Sequence, residues 1–293
     1  MIYVLTHRYP LSEFLFCGHT EIVPLLLTSE KLSFFTRIIR KFQFFLSQLL
    51  HINLFFSFFP SEVYEKLKTL KKEDSLIFVG ESFQMCFILS RICPCVKKIA
   101  YFWNSCSTIK DCDFCINKIK KYGFSIATFD SGDAKNYNLL FAPQFYKKIT
   151  KNTQCNEIKN DFFFCGKNKG RKKVLLSLKE TLSTIGSCKF VIPEKNDAML
   201  YSDYVDELRN SRVLCDVNQK GQSGLTLRVL ESLFFQKKLI TNNNDVKKYD
   251  FYNPNNIFVF DSNTKKEDIQ TFISKPHVKV DEKILSNYEV VNV

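Results

Sequence analysis

The sequence lacks an uninterrupted apolar run of the ~20 residues that a membrane-spanning helix requires. Its most apolar stretch, residues 32–60, is rich in Phe, Leu and Ile but is interrupted by Arg37, Arg40, Lys41 and His51. A spanning helix is therefore excluded there. Two interpretations stay open: a basic amphipathic helix that lies on a membrane surface, or an ordinary helix that faces the core. We favour the core-facing helix.

The chain also lacks a charged amino-terminal segment with a cleavage site, and its first five residues read as a strand. The 11 cysteines are not spaced as in disulfide-rich domains. Only Cys93/Cys95 and Cys112/Cys115 are close pairs, and one such pair leaves a zinc ion short of two ligands. We expect free thiols in a reducing cytoplasm, with no bound metal and no cofactor.

No known DNA- or RNA-binding motif is present, although the net charge is +12 and the isoelectric point is about 9.1. Such a charge suits three anionic partners: nucleic acid, a membrane surface or a phosphorylated substrate. The basic residues are spread in short clusters along the chain. We therefore expect no nucleic-acid partner, and a membrane surface together with a nucleotide phosphate fits better.

Short apolar runs alternate with helical patterns in both halves of the 293 residues. This alternation predicts an α/β fold with parallel sheets and helices on both faces. The polar stretch 147–160 has no apolar period, so we predict a linker and two Rossmann-like domains, residues 1–150 and 151–293. Two such domains in tandem predict a cleft between the carboxyl ends of their strands, where α/β proteins bind ligands.

The most informative segment is residues 212–241, which reads as strand, polar loop, helix and strand. The N–H groups at the start of such a helix carry partial positive charge and suit a phosphate. We predict that the helix begins near Ser223, whose hydroxyl either caps it or binds the phosphate. A plain capped helix is the alternative. The predicted phosphate cradle consists of Gln222, Ser223, Gly224, Leu225 and Thr226.

Glu231 lies within this otherwise apolar helix, three residues after Arg228, and both are candidate ligand-binding residues. A buried carboxylate is unfavourable unless it is paired. Two partners stay open: an ion pair with Arg228, or hydroxyl groups of a bound sugar.

A second candidate loop, residues 164–172, is basic and contains two glycines. Gly166 would let the backbone pass close to a ligand. Lys167, Lys169 or Arg171 would neutralise a diphosphate. Cations at a helix start oppose the helix dipole, which indicates an anion between them. The alternative is a solvated basic helix start.

The first half offers weaker candidates at predicted strand ends. Glu81, Asp130 and His7 each suit a general base that activates an acceptor hydroxyl, and each also suits a cap or turn. Trp103 with Asn104 could contact an acceptor sugar.

Several of these segments resemble the small GT-B-type bacterial glycosyltransferases, or glycosyltransferase-like proteins, of lipopolysaccharide and capsule biosynthesis. The resemblance is carried by residues 119–134, 162–171, 216–231, 233–242 and 249–257. It implies that the second domain binds a nucleotide-sugar donor, a UDP-sugar, with Glu231 in the place of the acid that binds ribose in many retaining members. Those members have an earlier acid where this sequence has Ser223. This difference leaves open whether the transfer would retain the anomeric configuration of the sugar. The resemblance also implies catalysis without a bound metal.

The resemblance thus implies transfer of a sugar, of hexosyl type, to a lipid-linked oligosaccharide acceptor at the inner face of the cytoplasmic membrane. Two alternatives stay open. One is a non-catalytic nucleotide- or glycan-binding protein with the same fold. The other, supported by charge alone, is a nucleic-acid-binding protein, whose binding would fall steeply with salt.

Overall fold

The computed structural model describes residues 1–28, 33–50, 53–148, 157–193 and 199–292. The chain divides into two compact units, Met1–Ala142 and Pro143–Val293. The division lies several residues before the boundary predicted at 150/151. The residues just before position 150 belong to the second unit because the backbone of Tyr146 exchanges hydrogen bonds of 2.8 and 3.0 Å with Tyr288 and Val290. Residues 149–156 of the predicted linker lie outside the described residues.

The first unit is a parallel sheet with the strand order β2-β1-β3-β4-β5-β6. Its strands are β1 (Ile2–His7), β2 (Ile22–Leu27), β3 (Ser75–Val79), β4 (Lys97–Phe102), β5 (Phe124–Thr128) and β6 (Leu140–Phe141). Its helices are α1 (Pro10–Phe16), α2 (Phe34–Leu50), α3 (Ser61–Lys68), α4 (Phe83–Ile92), α5 (Cys112–Lys121) and α6 (Ser131–Tyr137). Buried side chains from the strands and from α3, α4 and α5 form one core.

Side-chain caps explain where two of these helices begin. The Ser82 hydroxyl accepts the N–H of Met85 at the start of α4, and Asp130 caps α6 as its sequence context predicts. Asp111, in the position before α5 where an aspartate often caps a helix, has a left-handed conformation (φ 52°) and makes no side-chain cap hydrogen bond.

The second unit is a parallel sheet with the order β11-β10-β9-β7-β8. Its strands are β7 (Asn160–Cys165), β8 (Cys188–Val191), β9 (Ser211–Asp216), β10 (Lys238–Thr241) and β11 (Ile257–Val259). Its helices are α7 (Lys172–Ser183), α8 (Tyr201–Arg209), α9 (Leu227–Phe234), α10 (Lys266–Ser274) and α11 (Glu282–Ser286). One core cluster of this unit contains side chains of the sheet and of helices α7 and α10, and helices α8 and α9 also contribute buried apolar side chains.

Helix α9 begins at Leu227 and not near Ser223, so the predicted helix start was wrong. Thr226 occupies the cap position, but its hydroxyl donates to Asp216 instead of capping the helix. The polar loop is therefore longer than the sequence pattern indicated.

Phe55 and Phe59 are buried in the core of the first unit, but helix α2 contradicts the core-facing interpretation for residues 34–50. Its two buried side chains, Gln43 and Ser47, are polar, whereas most of its Phe, Ile and Leu side chains are exposed. No helix within the described residues is both long enough and apolar enough to cross a membrane.

Candidate functional site

In each sheet the chain adds strands first toward one edge and then toward the other, and this reversal lies between two neighbouring strands. In the first unit it lies between β1 and β3, and in the second unit between β7 and β9. Loops at the carboxyl ends of these strand pairs diverge there and leave a crevice in which parallel α/β sheets bind ligands. Both candidate loops predicted from the sequence follow the strand pair of the second unit.

Arg171 joins these two loops of the second unit. Its Nε and Nη2 donate to the carbonyl oxygen of Lys167 at 3.3 and 3.2 Å, and its Nη1 donates to the carbonyl oxygen of Val217. The side chain is buried, whereas Lys167 and Lys169 of the same loop are exposed. Arg171 therefore fixes the backbone, and the two lysines carry the solvent-facing charge.

Gly166 lies directly against two guanidinium groups. A Cβ at this position would approach Nη1 of Arg228 to 3.0 Å and Nη2 of Arg171 to 3.1 Å. Both guanidinium groups also lie over the ring of Phe164, at 4.9 and 5.3 Å from its centroid. Burial, and secondly the charge of Arg228, lowers the pKa of Arg171 to about 10. Two cations thus converge where the sequence predicts a diphosphate.

Asp216, at the end of β9, is the counter-ion of this pair and was not predicted from the sequence. Its carboxylate is 0% exposed and accepts three hydrogen bonds, from Thr226 (2.8 Å), Thr241 (3.0 Å) and Nε of Arg228 (3.1 Å). The signal that could have found it is an aspartate at the end of an apolar run. Arg228 therefore pairs with Asp216.

The loop before α9 is held by amide side chains. Asn218 donates to the carbonyl oxygens of Gln222 (3.2 Å) and Gly224 (3.3 Å), and Gln222 also donates to Gly224 (3.1 Å). Asn243 donates to Ser223 (3.2 Å). The buried Oδ1 of Asn218 has no hydrogen-bond partner among the described residues. Such an acceptor fits a donor from a ligand or water.

The two remaining residues of the predicted phosphate cradle, Leu225 and Thr226, do not offer free side-chain groups to a ligand. The side chain of Leu225 is fully buried, so only its backbone is available to a ligand. Thr226 directs its hydroxyl to Asp216, as described above. At the start of α9, the N–H of Val229 donates to the carbonyl oxygen of Thr226 at 3.1 Å, and the N–H groups before it have no acceptor within the helix, as at every helix start.

Glu231 has a protein partner that was not predicted from the sequence. It is 2% exposed, and the phenol of Tyr204 on α8 donates to its carboxylate. The predicted ion pair with Arg228 is not formed, because that guanidinium binds Asp216. Burial is the main cause that raises the pKa of Glu231 to about 7, against the opposing effects of the Tyr204 hydrogen bond and the Arg228 charge.

Two more tyrosines extend this cluster. The hydroxyls of Tyr146 and Tyr201 lie 2.6 Å apart, and the rings of Tyr201 and Tyr204 stack at 5.8 Å. These tyrosines were not predicted from the sequence, although the three-residue spacing of Tyr201 and Tyr204 would place both on one face of a helix.

The first unit has a cavity of about 460 Å³ at its own crevice. It brings together two of the three predicted catalytic residues, His7 after β1 and Glu81 after β3. Partial burial lowers the pKa of His7 from its ordinary value, which favours the neutral imidazole. The cavity is lined by Thr6, His7, Tyr9, Leu11, Ser12, Phe78, Val79, Gly80, Glu81, Ser82, Trp103 and Asn104.

Glu81 is already engaged with the backbone. Its Oε1 accepts the N–H of Trp103 (3.1 Å), the N–H of Asn104 (2.9 Å) and Nδ2 of Asn104 (3.2 Å). It therefore holds the loop after β4 against the loop after β3. The cavity also contains Trp103 and Asn104, the pair predicted to meet an acceptor sugar.

Asp130, the third predicted catalytic residue, does not line this cavity. Its carboxylate is buried and accepts the N–H groups of Gly132 (2.9 Å) and Asp133 (3.1 Å) as the cap of α6. Both hydrogen bonds are explained by the role of Asp130 as the cap of α6.

Within the described part of the chain, no group of three or more His, Cys, Asp and Glu side chains is arranged to hold a metal ion. The one Asp-Cys-Asp pattern, Asp111 to Asp113, lies at the start of α5 and not at the end of a strand.

Comparison with known proteins finds the fold but no sequence relative. No family model and no curated protein matches the chain. Among solved structures, the chain is similar to the crystal structure of Anabaena Alr3699/HepE in complex with UDP and glucose, with a TM-score of 0.50 and 8% identity over 99% of this chain and 94% of that one. Together with the two parallel sheets described above, this likeness gives the chain a GT-B-like α/β fold made of two Rossmann-like units.

Proposed function

We propose that this protein is a glycosyltransferase that transfers a sugar from a nucleotide-sugar donor, a UDP-sugar, to a lipopolysaccharide or capsular glycan. The carrying observation is the convergence of Arg171 and Arg228 beside Gly166, at the crevice of the second unit. The similar Anabaena structure contains UDP and glucose, which supports the same ligand class here.

The donor site would use the second unit. The diphosphate would lie against Gly166 and the N–H groups that open α9, where partial positive charge favours an anion. Lys167 and Lys169 would add solvent-facing charge. The two guanidinium groups would stabilise the negative charge that develops on the leaving diphosphate, and such electrostatic stabilisation often contributes more than any other effect to the rate enhancement of an enzyme. This arrangement fits a transfer that uses the nucleotide sugar as substrate and needs no cofactor.

Glu231 would serve the donor as a hydrogen-bond acceptor for sugar or ribose hydroxyls. Its raised pKa indicates that the surroundings of this carboxyl group disfavour a negative charge. Hydroxyl groups of a ligand would stabilise the ionised carboxylate of Glu231, because hydrogen bonds to the charged form of a group favour that form.

The acceptor would use the cavity of the first unit. Neutral His7 can accept the proton of an acceptor hydroxyl while the oxygen attacks the anomeric carbon and the nucleoside diphosphate leaves. Trp103 offers an aromatic face for a sugar ring. A lipid-linked acceptor would place this reaction at the inner face of the cytoplasmic membrane.

A thermal-shift screen of the purified protein tests the donor site. UDP and UDP-sugars should raise the melting temperature by several degrees, because a ligand that binds only the folded state stabilises it. GDP, CMP, ADP and their sugars serve as comparators. An Arg171→Ala/Glu231→Ala variant should lose the shift, donor hydrolysis and transfer. Full retention of all three would contradict the site assignment.

A non-catalytic nucleotide- or glycan-binding protein is the second candidate. It is favoured by the engagement of both acidic candidates of the first unit, Glu81 and Asp130, with backbone N–H groups. It predicts a nucleotide-dependent shift without turnover. Transfer to any glycan acceptor that is lost in a His7→Gln variant would eliminate it.

A further inference from the structure

Helix α2 has its apolar side on the outside. Eight large apolar side chains are exposed along its 17 residues, and the first two are 74% and 76% exposed. At 3.6 residues per turn, the eight fall within an arc of about 160°. These residues, called the outer face of α2 below, are Phe34, Phe35, Ile38, Ile39, Phe42, Phe45, Leu49 and Leu50.

The opposite side of α2 is anchored to the first unit, which fixes the outer face outward. Gln43 accepts a hydrogen bond from the Ser57 hydroxyl, and Arg40 donates to the Ser57 carbonyl oxygen at 2.8 Å. The ring of Phe44 packs edge-on against Phe87 at 5.2 Å. A rotation that buried the outer face would break these contacts.

The surroundings of the outer face are basic. No Asp or Glu occurs between residues 31 and 61. Arg37 and Lys41, both exposed and one turn apart, border the outer face on one side. Beyond Gln48, a groove of about 660 Å³ contains Arg91 and Lys121, and the buried Nε of Arg91 has no hydrogen-bond partner among the described residues.

We propose that α2 docks this protein onto an anionic phospholipid surface. The outer face enters the boundary between headgroups and acyl chains, and Arg37 and Lys41 contact the lipid phosphates. The groove with Arg91 and Lys121 receives a further headgroup. Because the inner side of α2 is held by its own protein, the helix lies along the membrane and does not span it. This inference does not depend on the proposed transfer reaction.

Charge favours lipid over a second copy of the chain as the occupant. A symmetric dimer through the outer face would bring the basic borders of two α2 helices together, and such like-charge contacts oppose association. An anionic bilayer satisfies both the apolar face and its basic border. Large exposed apolar faces on otherwise soluble proteins commonly mark interaction sites.

Co-sedimentation of the full chain with vesicles tests this proposal. One vesicle set contains phosphatidylcholine alone, and the other also contains phosphatidylglycerol. We expect strong binding to the anionic set and weak binding to the neutral set. Phe42→Ser/Phe45→Ser should weaken binding to anionic vesicles at least about a hundredfold. Arg37→Gln/Lys41→Gln should weaken it about thirtyfold.

Matched controls remove apolar surface or charge elsewhere. Leu176→Ser on α7 and Lys71→Gln/Lys72→Gln before β3 alter exposed side chains and should leave vesicle binding unchanged. Melting temperatures show whether each variant is folded. Sugar transfer to a soluble acceptor should persist in Phe42→Ser/Phe45→Ser, which separates docking from catalysis.

Three results would overturn the proposal. One is absence of binding to anionic vesicles by the wild-type protein. The second is unchanged binding by the folded Phe42→Ser/Phe45→Ser variant. The third is a wild-type dimer, seen by sedimentation velocity, that this variant converts to a monomer without any vesicle binding; α2 would then be a subunit interface.

Discussion

The phenol of Tyr204 donates a hydrogen bond to the carboxylate of Glu231, and this contact joins α8 to α9 inside the second unit. The two side chains come from separate helices, so the local sequence around either residue does not determine their contact. The pair puts a titratable group whose pKa lies near 7 beside the loops proposed to bind the donor.

Glu231→Gln should change how stability depends on pH. A carboxyl group whose pKa is raised from 4.5 to about 7 holds its proton more tightly when folded. The free energy of unfolding therefore falls as the pH rises through this window, by roughly 3 kcal/mol. Glutamine removes this pH dependence and keeps an acceptor for Tyr204. Urea unfolding at a series of pH values should show the variant gaining stability relative to wild type above pH 7.

Glu65→Gln is the matched control, because it makes the same chemical change on an exposed side chain of α3. It should alter stability by no more than about 0.5 kcal/mol. Parallel stability curves for wild type and Glu231→Gln would show that folding does not raise the pKa of Glu231.

Asp216→Ala should destabilise the second unit strongly. The substitution leaves Arg228 partly buried without its counter-ion and leaves Thr241 without its acceptor. Removal of one partner of a buried pair costs about 3–5 kcal/mol. Arg212→Ala breaks the exposed pair with Asp161 and should cost less than about 1 kcal/mol. Equal losses in the two variants, measured by urea unfolding, would contradict a buried ionic centre.

Arg171→Lys should weaken nucleotide binding although it preserves the charge. An ammonium group cannot reproduce the contacts of one guanidinium with the carbonyl oxygens of Lys167 and Val217. We expect roughly tenfold weaker UDP binding by calorimetry, as for the loss of about one charge-assisted hydrogen bond. The exposed neighbour Lys172→Gln serves as control. Wild-type affinity in Arg171→Lys would mean that charge alone is required.

His7→Gln should lower the transfer rate about 10²- to 10⁴-fold, the usual contribution of a general base, without weakening UDP binding. Because imidazolium cannot accept a proton, the wild-type rate should fall as the pH drops through a His7 pKa below 6.5. The variant should lack this step.

Asp130→Asn is the matched control for that experiment, because asparagine also caps helices. It should retain both the transfer rate and the pH profile. Loss of transfer in Asp130→Asn with retention in His7→Gln would reverse the assignment of the base.

The sequence predicted the α/β order of the second unit well, because each strand there is a compact apolar run bounded by polar or glycine residues. The strand predicted at the end of residues 212–241 is β10, Lys238–Thr241. Strand β2 was not predicted. It contains Pro24, which usually argues against a strand, and it tolerates this residue at the edge of the sheet.

The sequence predicted the loops of the candidate site but not the partners of its charged side chains. Gly166, Arg171 and Arg228 were identified from the sequence pattern, and the structure brings them together. The partners of Arg228 and Glu231 could not be predicted, since Asp216 and Tyr204 are neighbours only in the folded chain. Periodicity likewise places the apolar residues of α2 on one side, but it cannot tell whether that side meets protein or solvent.

Trp103 is the one tryptophan of the chain, and it lines the cavity of the first unit. Its indole emission is consequently a built-in optical probe of that cavity, with no labelling and no competing tryptophan signal. A glycan that enters the cavity should change the intensity or wavelength of this emission. Titration of candidate glycans against tryptophan fluorescence can thus rank acceptors before any donor sugar is known.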